Sequence, residues 1–241
     1  MATDCRAILL HGFTHTGRSW EPVIKALGEG YRALAPDIRG HGTSSHREPV
    51  TLQAVIDDLA AIAPRRFTLA GYSMGGRIAL HAALALCGRV ERLVLVGASP
   101  GIADPVARQV RRQADERLAD QIERASPEEF ATSWAATPVL AGQPPSVLAA
   151  AHEDRLRSSP QGLSRALRGL GTGALAPLWD RLPELSMPVA VVVGTRDEKF
   201  REIAGRMSAA IPDARVAVVP GAGHAAHLEA PELVAARIAG G

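Results

Sequence analysis

Aromatic side chains make up only 4 % of the 241 residues, and no basic run is long enough to follow a phosphate backbone. Single-stranded nucleic acid needs stacking platforms as well as a cationic groove, so nucleic acid is not an expected partner. Cysteine occurs only at Cys5 and Cys87, without metal or redox spacing. Two buried structural thiols are expected, not a disulfide or a nucleophile. No apolar run approaches the roughly 20 residues that cross a bilayer, and the opening residues do not read as a signal peptide. The expectation is a cytoplasmic protein without a membrane partner. Histidine, cysteine and acidic residues never fall into a chelating pattern, and neither a phosphate-cradling glycine loop nor a dinucleotide fingerprint is present. Neither metal nor cofactor is expected. Lysine is scarce as well: arginine supplies nearly all the positive charge, and many arginines fall between Arg108 and Arg168. The net charge of +2 conceals that uneven placement.

What remains is an apolar content of 46 %, enough for one sizeable core in a length too short for two ordinary domains. The chain is organised around residues 66–86. There RFTLA, a short apolar run, leads into GYSMG, and an Ala/Leu-rich helical pattern follows at once. A Gly-x-Ser-x-Gly pentapeptide is a weak signal by itself, but between a strand and a helix it becomes a nucleophile elbow. Gly71 and Gly75 stand where so tight a reversal leaves no room for side chains. Ser73 then sits at the apex, before a helix N-terminus that favours developing negative charge.

Around this stretch, strands are expected at 6–10, 31–37, 92–99, 187–197 and 214–224, and helices at 20–27, 51–63 and 231–239, with Thr51 as an N-cap. Apolar runs alternating with helices indicate a parallel sheet covered on both sides. Between Pro100 and Pro188 the strand signals vanish, and the segment is helical, Arg-rich and broken by prolines. The reading is an α/β fold, one domain over 1–241, with a helical cap at 100–187 inserted within it.

Three residue types now stand in the order Ser73, Asp197, His224, each at the C-terminal end of an expected strand, where open parallel sheets gather their sites. Ser…Asp…His is the chain order of α/β hydrolases. His224 would take the Ser73 proton, and Asp197 would fix the imidazole tautomer. Backbone N–H groups of Met74 and of the HGF turn, near Phe13, would form an oxyanion hole. Singly, Ser73 reads equally as a turn serine, Asp197 as a strand-end cap and His224 as a loop histidine; jointly, the catalytic reading prevails. His227 competes with His224, and His11, His15, His41 and His46 read as structural.

The chain resembles the α/β-hydrolase-fold enzymes of menaquinone biosynthesis called 2-succinyl-6-hydroxy-2,4-cyclohexadiene-1-carboxylate synthases. The likeness rests on LHGF (10–13), DIRGHGTS (37–44), GYSMGGR (71–77), RLRSSPQGL (155–163), GTGALAPLW (171–179), GTRDEKF (194–200) and AGHAAHLE (222–229). It implies a lyase that expels pyruvate from 2-succinyl-5-enolpyruvyl-6-hydroxy-3-cyclohexene-1-carboxylate, with the serine acting as a base and no acyl-enzyme. It further implies that Arg77, Arg111 and Arg157 bind the substrate's three carboxylates, with Tyr72 and Trp134 in the pocket. Independently of family, an arginine one turn after Ser73 opposes the helix dipole and so asks for an anionic partner. Arg108, Arg124, Arg165 and Arg168 read as a solvated face. The competing readings are a serine esterase, lactonase or carbon–carbon bond hydrolase with the same triad, and a ligand-binding module without turnover. The expected partner is a small polycarboxylate, and the expected assembly a monomer or weak homo-oligomer.

Overall fold

The computed structural model describes residues 6–241, so Cys5 lies outside the described residues. The strands are β1 (Ala7–Leu10), β2 (Ala33–Leu34), β3 (Phe67–Tyr72), β4 (Val90–Val96), β5 (Val189–Gly194) and β6 (Ala214–Val219). They form one sheet in the order β2-β1-β3-β4-β5-β6, and every neighbouring pair is parallel. Parallel neighbours cannot be joined by a hairpin and need crossovers, usually helical. Those around the sheet use α1 (Glu21–Leu27), α2 (Leu52–Ile62), α3 (Met74–Ala85) and α8 (Glu198–Ala210), and α9 (Ala226–Glu229) and α10 (Pro231–Ala239) close the chain.

The period-2 alternation of the strands sorts their side chains into two cores. Ile8, Leu10, Leu69, Leu93, Leu95, Val191 and Val193 pack with α2, α3 and α8 on one face. Ala7, Leu9, Ala70, Val94, Val96 and Val192 pack with Val23 of α1 and Val234 and Ile238 of α10 on the other. Each large side chain so buried contributes roughly 1.5–3 kcal/mol. Thr51 caps α2 as the sequence indicates, its hydroxyl accepting from Ala54 N–H at 3.2 Å.

Three expectations are corrected. The strand expected over 31–37 shrinks to Ala33–Leu34, because Pro36 has no N–H to give a ladder and Asp37 turns away to accept from Gly17 and Thr43. The sheet is not covered throughout: at the β6 edge Val216 and Val218 are exposed. Cys87 is exposed rather than buried, because it falls in the turn beyond the end of α3.

Between β4 and β5 stand α4 (Pro105–Arg124), α5 (Pro127–Ala135), α6 (Pro145–Arg155) and α7 (Pro160–Leu170), with no strand among the described residues. Asp104, Ser126 and Ser159 cap α4, α5 and α7. Ala119, Ile122, Phe130, Leu163 and Leu167 make a small core of their own. Arg168, expected on a solvated face, instead joins α7 to α4 through Glu116 at 2.7 Å, Asp120 at 2.6 Å and Glu123 at 2.5 Å. No helix among the described residues is long and apolar enough to cross a membrane.

Candidate active site

Ser73 lies between β3 and α3 with φ 50° and ψ −107°. A non-glycine residue in this region costs on the order of 1–3 kcal/mol and persists only where its surroundings over-determine it. Here the Ser73 N–H donates to the Val96 carbonyl at 2.9 Å, and the Ser73 carbonyl accepts from Arg77 N–H at 3.0 Å. The turn is tight enough that a Cβ on Gly75 would stand 2.2 Å from the Leu10 carbonyl oxygen, and one on Gly71 2.4 Å from that of Gly75.

The loops after β5 and β6 bring up the partners. His224 Nε2 is 3.1 Å from Ser73 Oγ, and its Nδ1 is 2.6 Å from Asp197 Oδ2. Both side chains are buried. Gly97 makes this possible, since a Cβ there would lie 2.9 Å from His224 Cε1. Tyr72 and Phe200 flank the imidazole with ring centroids at 5.3 and 4.4 Å. His227 does not compete: it is fully buried against Tyr72 and Trp20, and neither ring nitrogen has a partner among the described residues. Burial holds its pKa well below the usual value, with the neighbouring His15 and His224 adding to the effect.

Phe13 and Met74 line the same cavity as Ser73 and His224, and no hydrogen bond among the described residues engages their backbone N–H groups. The turn carrying Phe13 is held from both sides. His11, as expected of a loop histidine, touches the Gly12 carbonyl at 2.9 Å through Nδ1 and accepts from Ile38 N–H at 2.9 Å through Nε2. Burial pushes its pKa down to about 4, so it accepts as a neutral ring.

The cavity measures about 320 Å³, within the range of small-molecule sites. Arg77, Arg111, Trp134, Lys199, Phe200 and Thr172 contribute to its wall. Arg77 is 7 % exposed and makes no ion pair among the described residues; the only hydrogen bond of its guanidinium there is a long one, 3.4 Å, to the Leu170 carbonyl. Burial, then the like charge of Arg111, lowers its pKa to about 10 against the pull of Asp115, which leaves it charged at neutral pH. Arg111 is anchored by Asp115 at 2.7 Å. Among the described residues no group of three histidine, cysteine or acidic side chains could hold a metal ion.

A family model described as the alpha/beta hydrolase family matches residues 7–237. A Bacillus subtilis (strain 168) protein that bears the name 2-succinyl-6-hydroxy-2,4-cyclohexadiene-1-carboxylate synthase provisionally is 35 % identical over 94 % of this chain and 86 % of its own length. The chain belongs to that synthase family, within the α/β hydrolases. A synthase of the same name from Enterobacter sp. (strain 638) is 30 % identical over 96 % of this chain and 89 % of its own. The solved structure of MenH from S. aureus covers 100 % of this chain and 94 % of its own, with a TM-score of 0.92 and 31 % identity.

Two residues that the likeness to the synthase family pointed to are not in the cavity wall. Tyr72 packs behind His224 and against Gly12, where an added Cβ would lie 2.7 Å from its ring. Arg157 is exposed and lines a separate cavity of about 200 Å³ with Arg18, Glu21 and Glu153. The buried arginine of that stretch is Arg155, the last residue of α6, whereas Arg157 lies in the turn beyond it; the three guanidinium nitrogens of Arg155 are unpartnered among the described residues. Lys199 is the residue that sequence reasoning passed over. Its signal was available: apart from Lys25 it is the only lysine, and it stands two residues after Asp197. Arg196 was passed over too; it joins the Gly142 and Gly221 carbonyls, at 2.6 and 2.8 Å, to Glu229 at 2.6 Å, and no local pattern announces a link among three loops.

Proposed function

We propose that this chain eliminates pyruvate from 2-succinyl-5-enolpyruvyl-6-hydroxy-3-cyclohexene-1-carboxylate, giving 2-succinyl-6-hydroxy-2,4-cyclohexadiene-1-carboxylate, with Ser73, His224 and Asp197 as a catalytic triad. The observation that carries the reading is Arg77: a buried guanidinium without an ion-pair partner among the described residues, in one cavity with Ser73, Arg111 and Lys199. Burying a charge without a partner is costly, so such a group implies an anion that arrives with the substrate. The names of the relatives supply the product. The family resemblance of the sequence implies the enolpyruvyl substrate it would come from, and three cations in one wall suit a molecule with three carboxylates. Guanidinium forks match carboxylates geometrically, and each charge-assisted contact is worth roughly 1.5–3 kcal/mol.

In this reading His224 Nε2 accepts the Ser73 proton, and the oxygen so activated removes a proton from the ring carbon. The C2–H electrons form the C2–C3 double bond, the existing C3–C4 double bond moves to C4–C5, and the C5 bond to the enolpyruvyl oxygen breaks. Pyruvate leaves as its enolate and takes up a proton. Asp197 holds Nδ1–H and stabilises the imidazolium. The Phe13 and Met74 N–H groups face oxyanion charge, a donor pair worth roughly 3 kcal/mol each. The residues between β4 and β5 serve as a cap, closing the cavity with Arg111 and Trp134.

The test is pyruvate release from freshly prepared substrate, compared with an enzyme-free control and with product identity checked by mass. Release far above the control, lost in Ser73→Ala and reduced in Arg77→Ala, is the expected result. Release no faster than the control, together with rapid Ser73-dependent turnover of p-nitrophenyl esters, would transfer the triad to ester hydrolysis.

A further inference from the structure

The HGF turn carries a strain that its own residues do not explain. Thr14 is fully buried with φ 70°, a conformation that a β-branched residue rarely adopts, and its hydroxyl has no partner among the described residues. Only an imposed constraint maintains such a residue. On one side the constraint is His11, already described. On the other it comes from outside the sheet: Asp154, near the end of α6, is 7 % exposed and accepts from Thr16 N–H at 2.9 Å and Thr16 Oγ1–H at 2.5 Å. Its Oδ2 also stands 3.2 Å from His15 Nδ1. Burial pushes this carboxyl up, but the hydrogen bonds and charge interaction from His15 and Thr16 outweigh it and leave the pKa at about 2. The carboxylate is therefore ionised throughout the working range, with both oxygens engaged.

The pair His15–Thr16 begins two residues after Phe13, and the His15 N–H closes the turn onto the Gly12 carbonyl at 3.2 Å. Fixing His15 and Thr16 at one end and His11 at the other leaves the peptide plane of Phe13 no freedom except through relief of the Thr14 strain. We infer that Asp154 is a positioning residue for the reaction: by clamping Thr16 and His15 from α6, it holds the strained turn so that the Phe13 N–H points at the reacting oxygen. The oxyanion hole is then complete only when α6 is docked on the turn. This rests on the proposed roles of Ser73 and of the Phe13 and Met74 N–H groups; it does not depend on which substrate is turned over.

The experiment pairs pyruvate release with binding of phenylboronic acid. Boron bonds to Ser73 Oγ, the Ser73 proton passes to His224 Nε2, and the boron becomes tetrahedral with an oxygen in the hole. Asp154→Asn keeps the side chain's shape and removes one acceptor. Its kcat is expected to fall about 10- to 100-fold, short of or equal to the loss of a whole oxyanion donor, with KM within about twofold. Boronate affinity should fall by a similar factor. Thr16→Val should shift both quantities in the same direction by less, and the double variant should be no worse than Asp154→Asn alone. A folded Asp154→Asn with boronate affinity within about twofold of wild type overturns the inference, as does a raised KM at unchanged kcat. If Asp154→Asn does not fold, Thr16→Val carries the test by the same criteria. If the wild type releases no pyruvate but binds boronate, and the variant loses that binding, the clamp stands and the lyase reading falls.

Discussion

The site has a floor and a roof, and their polar groups are treated differently. On the floor, at the strand ends, Ser73, His224 and Asp197 satisfy one another at 3.1 and 2.6 Å. Toward the roof, the Arg77 guanidinium has no ion-pair partner among the described residues, and on α6, outside the cavity lining, the Arg155 guanidinium has no hydrogen-bond partner among them. The floor is a finished network; the cationic wall is complete only with an anion in it. In the proposed function chemistry belongs to the first and recognition to the second, and substitutions should separate them.

The largest effect is expected at the floor. Ser73→Ala should lower kcat for pyruvate release by at least about 10³-fold, because removing one member of a unit forfeits the work of all of them. Substrate affinity, read by calorimetry on this inactive variant, should stay close to wild type if recognition resides in the wall. A KM or Kd that collapses with the serine would erase the distinction.

Next comes the wall. Arg77→Met removes a carboxylate contact worth roughly 1.5–3 kcal/mol, so kcat/KM should fall about 10- to 150-fold. The same change removes a buried charge that has no ion-pair partner, so the thermal midpoint should equal or exceed that of wild type. A lower midpoint would mean that Arg77 supports the fold and not the ligand. Raising the pH should reach the same group from another direction. Substrate affinity should weaken as pH climbs through the Arg77 value of about 10, where the guanidinium begins to lose its charge.

Acid should loosen the floor. His11, His41 and His227 are buried beneath the site, and burial holds the pKa of all three below the ordinary imidazole value. The unfolded chain then binds protons that the folded one refuses. The stability these rings contribute is complete above about pH 6.5 and is lost as pH falls through 6.5 toward the lowered values, the one for His11 being about 4. Each ring costs up to about 1.4 kcal/mol per pH unit in that window. Thermal midpoints measured from pH 7.5 to 4.5 at constant ionic strength should therefore fall steeply. A flat profile would show that the three rings take up protons in the native state.

The same division decides what could be read from sequence. That Ser73, Asp197 and His224 would meet was legible because each follows a strand, β3, β5 or β6, and a strand shows itself in a few adjacent residues. Gly71 and Gly75 were legible because the steric demand lies within five residues. Gly97 was not: its reason for being glycine is His224, which lies far along the chain. Asp154 and Arg196 were missed for the same cause, since the first joins α6 to the Thr16 turn and the second joins three loops that only the fold brings together. The β2 strand was overdrawn because apolar residues before Pro36 look like strand until Asp37 is seen to turn the chain. Cys87 was misplaced because hydrophobic character says nothing about a turn past a helix end.

The smallest expected effect tests the wall at its one point of conflict. Matching residues by family pattern selects Arg157, whereas burial selects Arg155. An exposed arginine beside Arg18 and Glu21, away from Ser73, has solvent to satisfy it and no reason to await a substrate. Arg157→Ala should accordingly leave kcat/KM within about twofold of wild type, in the range of an exposed charge. The comparison with Arg77→Met under identical conditions makes that small number informative. If Arg157→Ala instead lowers kcat/KM as far as Arg77→Met does, the segment after α6 must turn inward over the substrate, and the wall would be assembled by binding, not waiting for it.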